Sequence, residues 1–246
     1  MTPDAPGVKG WGGLSVLALT WGSAFAFIAV GVQTLPPSLV AFGRLALAAL
    51  LLTAWTLHQR RPLPSLRDRR WLWFAALGFF GNTLPFILIA IGQREVPSGV
   101  AGILMGMTPL AIIAAAHFVL PGERLTAWKA VGFLVGFCGI VLLMGPSALE
   151  GMMSTSFLMQ VLIFGATLAY ATNAILYQAG PETSPSVVAA ASLISAAVLA
   201  APLAAYDLVF GPPIQPSLAS LGAVAALGVF PTALAAIVYM GIARKV

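Results

Sequence analysis

The sequence contains two copies of one apolar unit, and this repetition constrains the fold more than any single motif does. Residues 77–96 match residues 227–246 at an offset of 150, with seven identities in twenty positions. A second block, residues 37–52, matches residues 185–200 at an offset of 148. Two matching blocks in the same order and at nearly the same offset indicate an internal duplication. We therefore expect a fold with two related halves.

The composition places both copies in a membrane. Hydrophobic residues make up 60% of the chain and charged residues 8%, whereas about a quarter of the residues of a soluble domain are charged. A membrane-spanning helix needs about 20 apolar residues. The sequence therefore predicts an all-α polytopic membrane protein with eight spans in this chain, at residues 11–33, 37–57, 71–92, 97–119, 127–144, 157–178, 185–206 and 217–241.

Positive charge is distributed unevenly among the connections between these spans. Cytoplasmic loops of membrane proteins are enriched in Lys and Arg. A cytoplasmic N-terminus would place ten of the twelve Lys and Arg residues on the cytoplasmic side. We therefore predict this orientation, and the net charge of +5 requires no nucleic-acid partner. The ten residues are Lys9, Arg60, Arg61, Arg67, Arg69, Arg70, Arg124, Lys129, Arg244 and Lys245.

The number of spans in the first copy sets the orientation of the second. Five is an odd number, so the second copy enters the membrane from the opposite face. Arg94 then ends its helix outside, whereas its equivalent Arg244 ends its helix inside. We predict inverted five-helix repeats at residues 11–145 and 157–246. The second repeat contains three of its five helices, so we expect ten spans in the complete protein.

Several motifs resemble one family of membrane proteins. Residues 21–30 (WGSAFAFIAV), 36–52 (PPSLVAFGRLALAALLL), 97–110 (PSGVAGILMGMTPL) and 122–143 (GERLT to GIVLL) are similar to the EamA repeat of the drug/metabolite transporter superfamily. The resemblance covers residues 11–246 and is strongest to bacterial amino-acid exporters of the YddG type. It implies ten helices, cytoplasmic termini and a central cavity, in the bacterial inner membrane.

Polar and aromatic residues at membrane depth are the candidate contacts for a small-molecule substrate. Buried amides are unfavourable unless they are paired, and interhelical hydrogen bonds are the alternative role for the two asparagines. Phe25 and Tyr170 fall at equivalent positions of the two copies, and Tyr239 could instead lie at the membrane interface. The candidate cavity residues are Trp21, Phe25, Asn82, Met105, Tyr170, Asn173, Tyr239 and Arg44.

Arg44 is the only formal charge that the sequence places away from the ends of the predicted spans. It lies about 10 Å from the outer end of the second span, at a rise of 1.5 Å per residue. Its side chain could therefore extend to the outer surface, pair with helix carbonyls, or contact a substrate carboxylate. Its equivalent in the second copy is Ser192, so its role belongs to one half only.

Prolines inside the spans are the candidate sites of helix kinks. Each one removes a helix hydrogen bond and frees a carbonyl, which in lipid needs a partner or a wet cavity. We interpret Pro109 and Pro231 as gating kinks that line the central cavity. A purely structural kink is the alternative for either proline.

The titratable residues indicate a transporter without ion coupling and without catalysis. All seven acidic residues fall in the N-terminal tail or the loops, so we expect no intramembrane carboxylate that binds a coupling ion. Two isolated histidines and one cysteine suggest no metal site, no cofactor and no enzyme.

The resemblance implies export of small metabolites, foremost neutral or aromatic amino acids, by alternating access. The absence of an intramembrane carboxylate favours uniport, and we expect a monomer rather than a dimer. The lipid bilayer and the substrate are the expected partners. A passive channel is one alternative, because a channel also needs a polar path through the bundle. A superfamily carrier of nucleotide sugars or of cationic drugs is the other alternative.

Overall fold

The computed structural model describes residues 8–119, 126–144, 150, 152–154 and 156–243. Helices dominate this part of the chain, and it contains no strand. Seven helical segments within it are long and apolar enough to cross a membrane: Trp11–Gly31, Pro37–His58, Arg70–Gly92, Ser98–Val119, Phe157–Gln178, Pro185–Phe210 and Leu218–Gly241. The predicted all-α polytopic membrane class is therefore confirmed.

Two groups of helices correspond to the two halves of the sequence. The first group is α1 (Val8–Gly31), α2 (Pro37–His58), α3 (Arg70–Gly78), π1 (Phe79–Thr83), α4 (Leu84–Gly92), α5 (Ser98–Met105), α6 (Thr108–Val119) and α7 (Ala127–Met144). The second group is α8 (Phe157–Gln178), α9 (Pro185–Phe210), α10 (Leu218–Leu227), π2 (Gly228–Leu234) and α11 (Ala235–Ala243). The segments π1 and π2 are π-helical and join the α-helices on either side of them.

The predicted number of spans is not confirmed. The fifth predicted span forms α7 (Ala127–Met144), which is not among the seven spanning segments found within the described residues. The counts of eight and ten therefore stay predictions. Three of the basic residues used to predict the orientation, Arg124, Arg244 and Lys245, lie outside the described residues.

The π-helical segments occupy equivalent positions of the repeat, because residues 79–83 shifted by 150 fall within residues 228–234. Proline explains π2 locally. Pro231 has no N–H, so the Leu227 carbonyl lacks its normal α-helical donor. The Thr232 hydroxyl donates to that carbonyl instead, at 2.7 Å. In the first half, Pro85 lies two residues after the end of π1, in the first turn of α4.

The fourth predicted span is interrupted between α5 and α6. The Thr108 hydroxyl at the start of α6 donates to the Met105 carbonyl at the end of α5, at 2.6 Å. Pro109 follows in the first turn of α6, a position where a missing N–H disrupts no helix hydrogen bond. Its side chain is exposed. Pro109 thus lies at a real helix break, but within the described chain it does not line an enclosed cavity.

The two halves pack on each other chiefly through α2 and α9. The Ser38 hydroxyl at the start of α2 donates to Asp207 near the end of α9, at 2.5 Å. The Thr56 hydroxyl near the end of α2 donates to the Ser186 carbonyl at the start of α9, at 3.1 Å. The two helices are therefore antiparallel. Small buried side chains allow their close approach, namely Ala41, Ala48, Ala49, Ala190, Ala196 and Ala200.

The contacts that the third predicted spans make with the opposite half are symmetric when the two copies are exchanged. Helices α5 and α6 also pack on α8, without a counterpart in the described part of the second half. The segments α10, π2 and α11 pack on α1, whereas α3, π1 and α4 pack on α8. In each case the third predicted span of one half covers the first predicted span of the other. In the same way, π2 packs on α2 and π1 packs on α9.

Helix α9 is longer than the span predicted for it. The prediction ended at Tyr206 because Asp207 carries a charge, but the helix continues to Phe210. The carboxylate is accommodated there because Ser38 donates a hydrogen bond to it. The expectation that all seven acidic residues lie in the tail or the loops is therefore wrong for Asp207.

Candidate functional site

Arg44 lies buried where α2 of the first half contacts the second half. Only 6% of its surface is exposed. Its Nε atom donates to the Thr232 hydroxyl at 2.7 Å, and its guanidinium carbon lies 3.6 Å from the centre of the Phe86 ring. A side chain that extended to the outer surface would be exposed, so Arg44 does not snorkel.

Thr232 links Arg44 to the Leu227 carbonyl, which has no α-helical donor because Pro231 lacks an N–H. Its hydroxyl accepts the hydrogen bond from Arg44 and donates to Leu227. Pro231 is buried within π2. The expectation that an intramembrane proline frees a carbonyl that needs a partner is confirmed at Leu227, while a gating role of Pro231 stays a prediction.

The two Nη groups of Arg44 have no hydrogen-bond acceptor among the described residues. They are not completely enclosed by protein either. In the described part of the chain one ion pair occurs, between Arg70 and Asp68, and it lies before α3 rather than beside Arg44. Tyr170 of α8 is close enough to interact electrostatically with the guanidinium. Arg44 is thus a buried cation without a carboxylate partner in this part of the chain.

Asn173 and Asn82 lie next to π1. A Cβ atom added at Gly81 would lie 2.6 Å from Oδ1 of Asn173, so that amide packs directly on the backbone of π1. Asn173 follows Tyr170 by three residues, which places both on one face of α8. Neither asparagine side chain is hydrogen-bonded to another described residue. The alternative of interhelical hydrogen bonds is therefore not realised in this part of the chain.

Phe25, Met105 and Tyr170 border the same buried cluster of apolar residues. The Phe25 carbonyl accepts hydrogen bonds from the Gln93 amide at 2.9 Å and from the Ser98 hydroxyl at 3.1 Å. These bonds fix α1 against the connection between α4 and α5. The structure thus brings together the two aromatic residues that occupy equivalent positions in the repeats.

Trp21 and Tyr239 form a separate pair between α1 and α11. Their ring centroids lie 6.5 Å apart. The two residues are 49% and 56% exposed, so neither ring is enclosed by the described residues. The structure therefore divides the predicted set into this exposed pair and a buried or half-buried group of six residues.

Hydrogen bonds join the halves at the end where α2 begins and α9 ends. The Ser38 hydroxyl donates to the Asp207 carboxylate. Beside it, the Ser217 N–H donates to the Thr34 hydroxyl at 3.1 Å. Sequence reasoning missed this group because Asp207 was assigned to a loop. The repeat offset of 148 relates Ser38 to Ser186. Ser186 lies at the start of α9, so this signal indicates the opposite end of the α2–α9 contact.

A cavity of about 180 Å³ lies at that opposite end. The offset of 148 relates Ser38 to Ser186 and Gln59 to Asp207. Ser186 and Gln59 line this cavity and are not hydrogen-bonded to each other through their side chains. Ser38 and Asp207 are thus hydrogen-bonded, whereas their equivalents Ser186 and Gln59 border an opening. At this end α2 contacts α9 about one helical turn before Gln59, where the Thr56 hydroxyl donates to the Ser186 carbonyl. The remaining lining residues are Trp55, Ile237, Met240 and Gly241.

Comparison with known proteins extends these observations. A family model described as the EamA-like transporter family matches residues 9–145. The uncharacterized inner membrane transporter YedA of Escherichia coli K12 is 31% identical over 149 residues, which cover 57% of this chain and 45% of that protein. An uncharacterized transporter of Archaeoglobus fulgidus is 29% identical over 144 residues, which cover 57% and 49%.

The likeness to solved structures concerns the fold alone. One crystal structure superposes with a TM-score of 0.67 at 23% sequence identity, covering 98% of this chain and 81% of that chain. The chain spans about half the length of the curated relatives it matches. Since the family model matches more than half of its residues, the chain belongs to the EamA-like transporter family.

Proposed function

We propose that this protein is a membrane carrier that exports small metabolites, foremost neutral or aromatic amino acids, by alternating access between two inverted halves. The observation on which the proposal rests is the difference between the two ends of the α2–α9 contact. Ser38 and Asp207 are hydrogen-bonded at one end, whereas Ser186 and Gln59 line a cavity at the other. The halves are also hydrogen-bonded near the cavity, by Thr56 to the Ser186 carbonyl and by Arg61 to the Ser184 hydroxyl. The two ends thus differ in how closely the halves pack, and two related halves with unlike ends are the arrangement that alternating access requires.

The antiparallel course of α2 and α9 supports the inverted arrangement. These helices contain the matching blocks of the repeat, so equivalent segments enter the membrane from opposite faces. With the N-terminus in the cytoplasm, the cavity faces the cytoplasm and the Ser38 end faces outward. This is the state in which an exporter accepts its substrate. A location in the bacterial inner membrane is in keeping with the name of the Escherichia coli relative.

The group around Arg44 supports a small amphipathic substrate. Phe25, Met105 and Tyr170 offer apolar surface, and the amides of Asn82 and Asn173 offer donors and acceptors. A nucleotide sugar carries at least two negative charges, which a single buried cation does not neutralise. A cationic drug would be repelled by the same guanidinium.

We propose uniport, because Asp207 lies near the membrane surface rather than at its centre. A helix of 26 residues is about 39 Å long, whereas the hydrocarbon core is about 30 Å thick. Asp207 is three residues from the end of α9 and so lies within about 5 Å of it. This depth suits a contact between the halves better than an ion site in the centre of the membrane.

Counterflow tests the proposed transport. The full-length protein is reconstituted in liposomes that contain unlabelled phenylalanine, and a trace of labelled phenylalanine is added outside, with and without a pH gradient. We expect transient accumulation of label without the gradient, which requires a saturable carrier. Protein-free liposomes are the control. Equilibration without an overshoot would identify a channel, and no flux of any amino acid would contradict the proposed substrate class.

A further inference from the structure

We propose that Arg44 is the carboxylate-binding residue of the substrate site, and that its two Nη groups hold a singly charged carboxylate while Nε stays bound to Thr232. This inference rests on the proposed transport function and specifies the chemistry of that site. It assigns Arg44 the third of the three roles considered from the sequence.

The first argument is the unbalanced charge of Arg44. A guanidinium inside a membrane span is unfavourable without a counter-ion, and such residues pair or line a substrate path. Arg44 is 94% buried, as the complement of its exposure of 6%. Among the described residues it has one hydrogen bond and one aromatic contact, and no acidic side chain reaches it. An anion that binds during transport would supply the missing partner.

The second argument is the orientation of the free groups. Thr232 holds the guanidinium at Nε, and the Phe86 ring lies against its face. The edge formed by the two Nη groups carries no hydrogen bond to a described residue. A carboxylate matches this edge because its two oxygens accept two parallel hydrogen bonds. Thr232 is itself held by the Leu227 carbonyl, so the guanidinium is oriented before a ligand arrives.

The third argument is the position of the amides. Tyr170 packs against the apolar cluster that contains Phe86, the ring that lies against the guanidinium. Asn173 lies one helical turn further along the same face of α8, at an axial distance of about 4.5 Å. Asn82 belongs to the adjoining segment π1. Amide oxygens accept hydrogen bonds from an ammonium group. A zwitterionic amino acid can therefore place its carboxylate at Arg44 and its ammonium group near the two asparagines.

The test compares two probes that differ only in the carboxyl group, phenylalanine and phenylalaninamide. Thermal unfolding of the full-length protein in detergent measures the binding of each probe without requiring transport. We expect phenylalanine to stabilise the wild-type protein at a concentration at least about 30-fold lower than phenylalaninamide, because the amide leaves the buried charge unpaired. Equal stabilisation by both probes, or by neither probe, would overturn the proposal.

Two substitutions assign the preference to Arg44. Arg44→Gln should reduce the difference between the probes to about twofold or less. Arg44→Lys keeps the charge but loses the two parallel N–H donors of the guanidinium, so it should retain an intermediate preference. Asn82→Ala is the matched control, because it should weaken binding of both probes equally. An Arg44→Gln protein that folds and still prefers phenylalanine as strongly as wild type would contradict the assignment. If Arg44→Gln does not fold, the comparison of Arg44→Lys with wild type decides.

Failure of this inference and failure of the proposed function give different results. A carrier that shows phenylalanine counterflow but binds phenylalaninamide equally well has the proposed function without the Arg44 carboxylate site. A protein that shows the binding preference but no counterflow has the site without the transport.

Discussion

Thr232 shows how one hydroxyl can satisfy two buried groups that belong to different halves of a protein. It accepts a hydrogen bond from Arg44 and donates one to the Leu227 carbonyl. Arg44 and Thr232 are 188 residues apart in the chain. An apolar side chain of the same shape would remove both hydrogen bonds of the hydroxyl and leave the Nε group of Arg44 without an acceptor among the described residues. Unsatisfied buried groups are unfavourable in membrane and soluble proteins alike.

We expect Thr232→Val to lower the free energy of unfolding by about 1–3 kcal/mol, the usual effect of leaving a buried polar group unsatisfied. Thr232→Ser, which keeps the hydroxyl, should stay close to wild type. Thr20→Val is the control, because the Thr20 hydroxyl bonds only to carbonyls within its own helix. Denaturation of the purified protein in detergent measures the three variants. A Thr232→Val protein as stable as Thr232→Ser would contradict the role of the hydroxyl.

Asp68 and Arg70 form an ion pair outside the membrane, at 2.7 Å. The hydrogen bonds from Arg70 hold the pKa of the Asp68 carboxyl below its ordinary value of 3.8. A carboxyl whose pKa is lowered on folding stabilises the protein above its unfolded pKa, and this contribution is lost as the pH falls through the folded pKa. The pair is exposed, so its effect on stability is small.

We therefore expect wild type and Asp68→Asn to differ slightly in unfolding temperature at pH 6, with the wild type more stable. The difference should begin to shrink as the pH falls below about 4, the ordinary pKa of an aspartate. It should disappear once the pH lies below the lowered pKa of Asp68 in the folded protein. Unfolding temperatures at several pH values measure it. A difference between the two proteins that grows on acidification would contradict the sign of the pKa shift.

At the scale of elements, the two π-helical segments pack closely on the opposite halves. A Cβ atom added at Gly78, next to π1, would lie 2.4 Å from the Ser192 carbonyl oxygen of α9. A Cβ atom added at the equivalent Gly228 would lie 2.9 Å from the Leu47 Cβ atom of α2. Each glycine thus allows a third span to approach the second span of the other half. Backbone atoms are the obstacle at Gly78, so no side-chain rotation can make room.

We expect Gly78→Ala to destabilise the protein by about 1–3 kcal/mol, as overpacking of a tight contact does. Gly222→Ala is the matched control in α10, where no atom lies within 4 Å of an added Cβ. That change should be neutral or stabilising by up to about 1 kcal/mol, because alanine is the better helix former. Unfolding in detergent compares the two. Equal stability of both variants would show that α9 and π1 are not packed this closely.

At the scale of the whole molecule, the two halves are hydrogen-bonded at both ends of the α2–α9 contact, and at one of these ends they also border a cavity. The polar contact of Asp207 with Ser38 belongs to the end opposite the cavity. Gln59, the equivalent of Asp207, lines the cavity at the opposite end. Under alternating access, weakening the contact of Asp207 with Ser38 should favour the state in which the cavity closes.

Labelling of a cysteine in the cavity tests this linkage. In a Cys138→Ala background, Gln59→Cys should react with a membrane-impermeant maleimide from the N-terminal side. Adding Asp207→Ala should slow this reaction, because the Ser38 hydroxyl loses its acceptor and the closed cavity becomes more populated. The labelling rate in membranes of defined sidedness is the measurement.

Glu182→Ala is the control for this experiment, because Glu182 is an exposed acidic residue before α9. It should leave the labelling rate of Gln59→Cys unchanged. A rate that is the same in the Asp207→Ala and Glu182→Ala backgrounds would contradict a linkage between the two ends.

Sequence reasoning located most of the helices and only part of the site. The ends of the predicted spans agree closely with the helices of the structure, except where Asp207 was placed outside α9. Arg44 was recognised because charge is rare in a span, but its partner Thr232 carries no signal that distinguishes it from other threonines. Trp21 and Tyr239 were grouped with Arg44 by depth alone, and the structure places them on the exposed side of α1 and α11.

The sequence by itself determined the membrane class and the positions of the helices, and it predicted the duplication. Lipid offers no hydrogen-bond partners to the backbone, so apolar runs of about 20 residues have to form helices wherever they occur. Only the tertiary structure decided that Arg44 meets Thr232, that Ser38 meets Asp207, and that the cavity lies at the opposite end of the α2–α9 contact. Those contacts join residues far apart in the chain, and they depend on how antiparallel helices pack, which local composition does not specify.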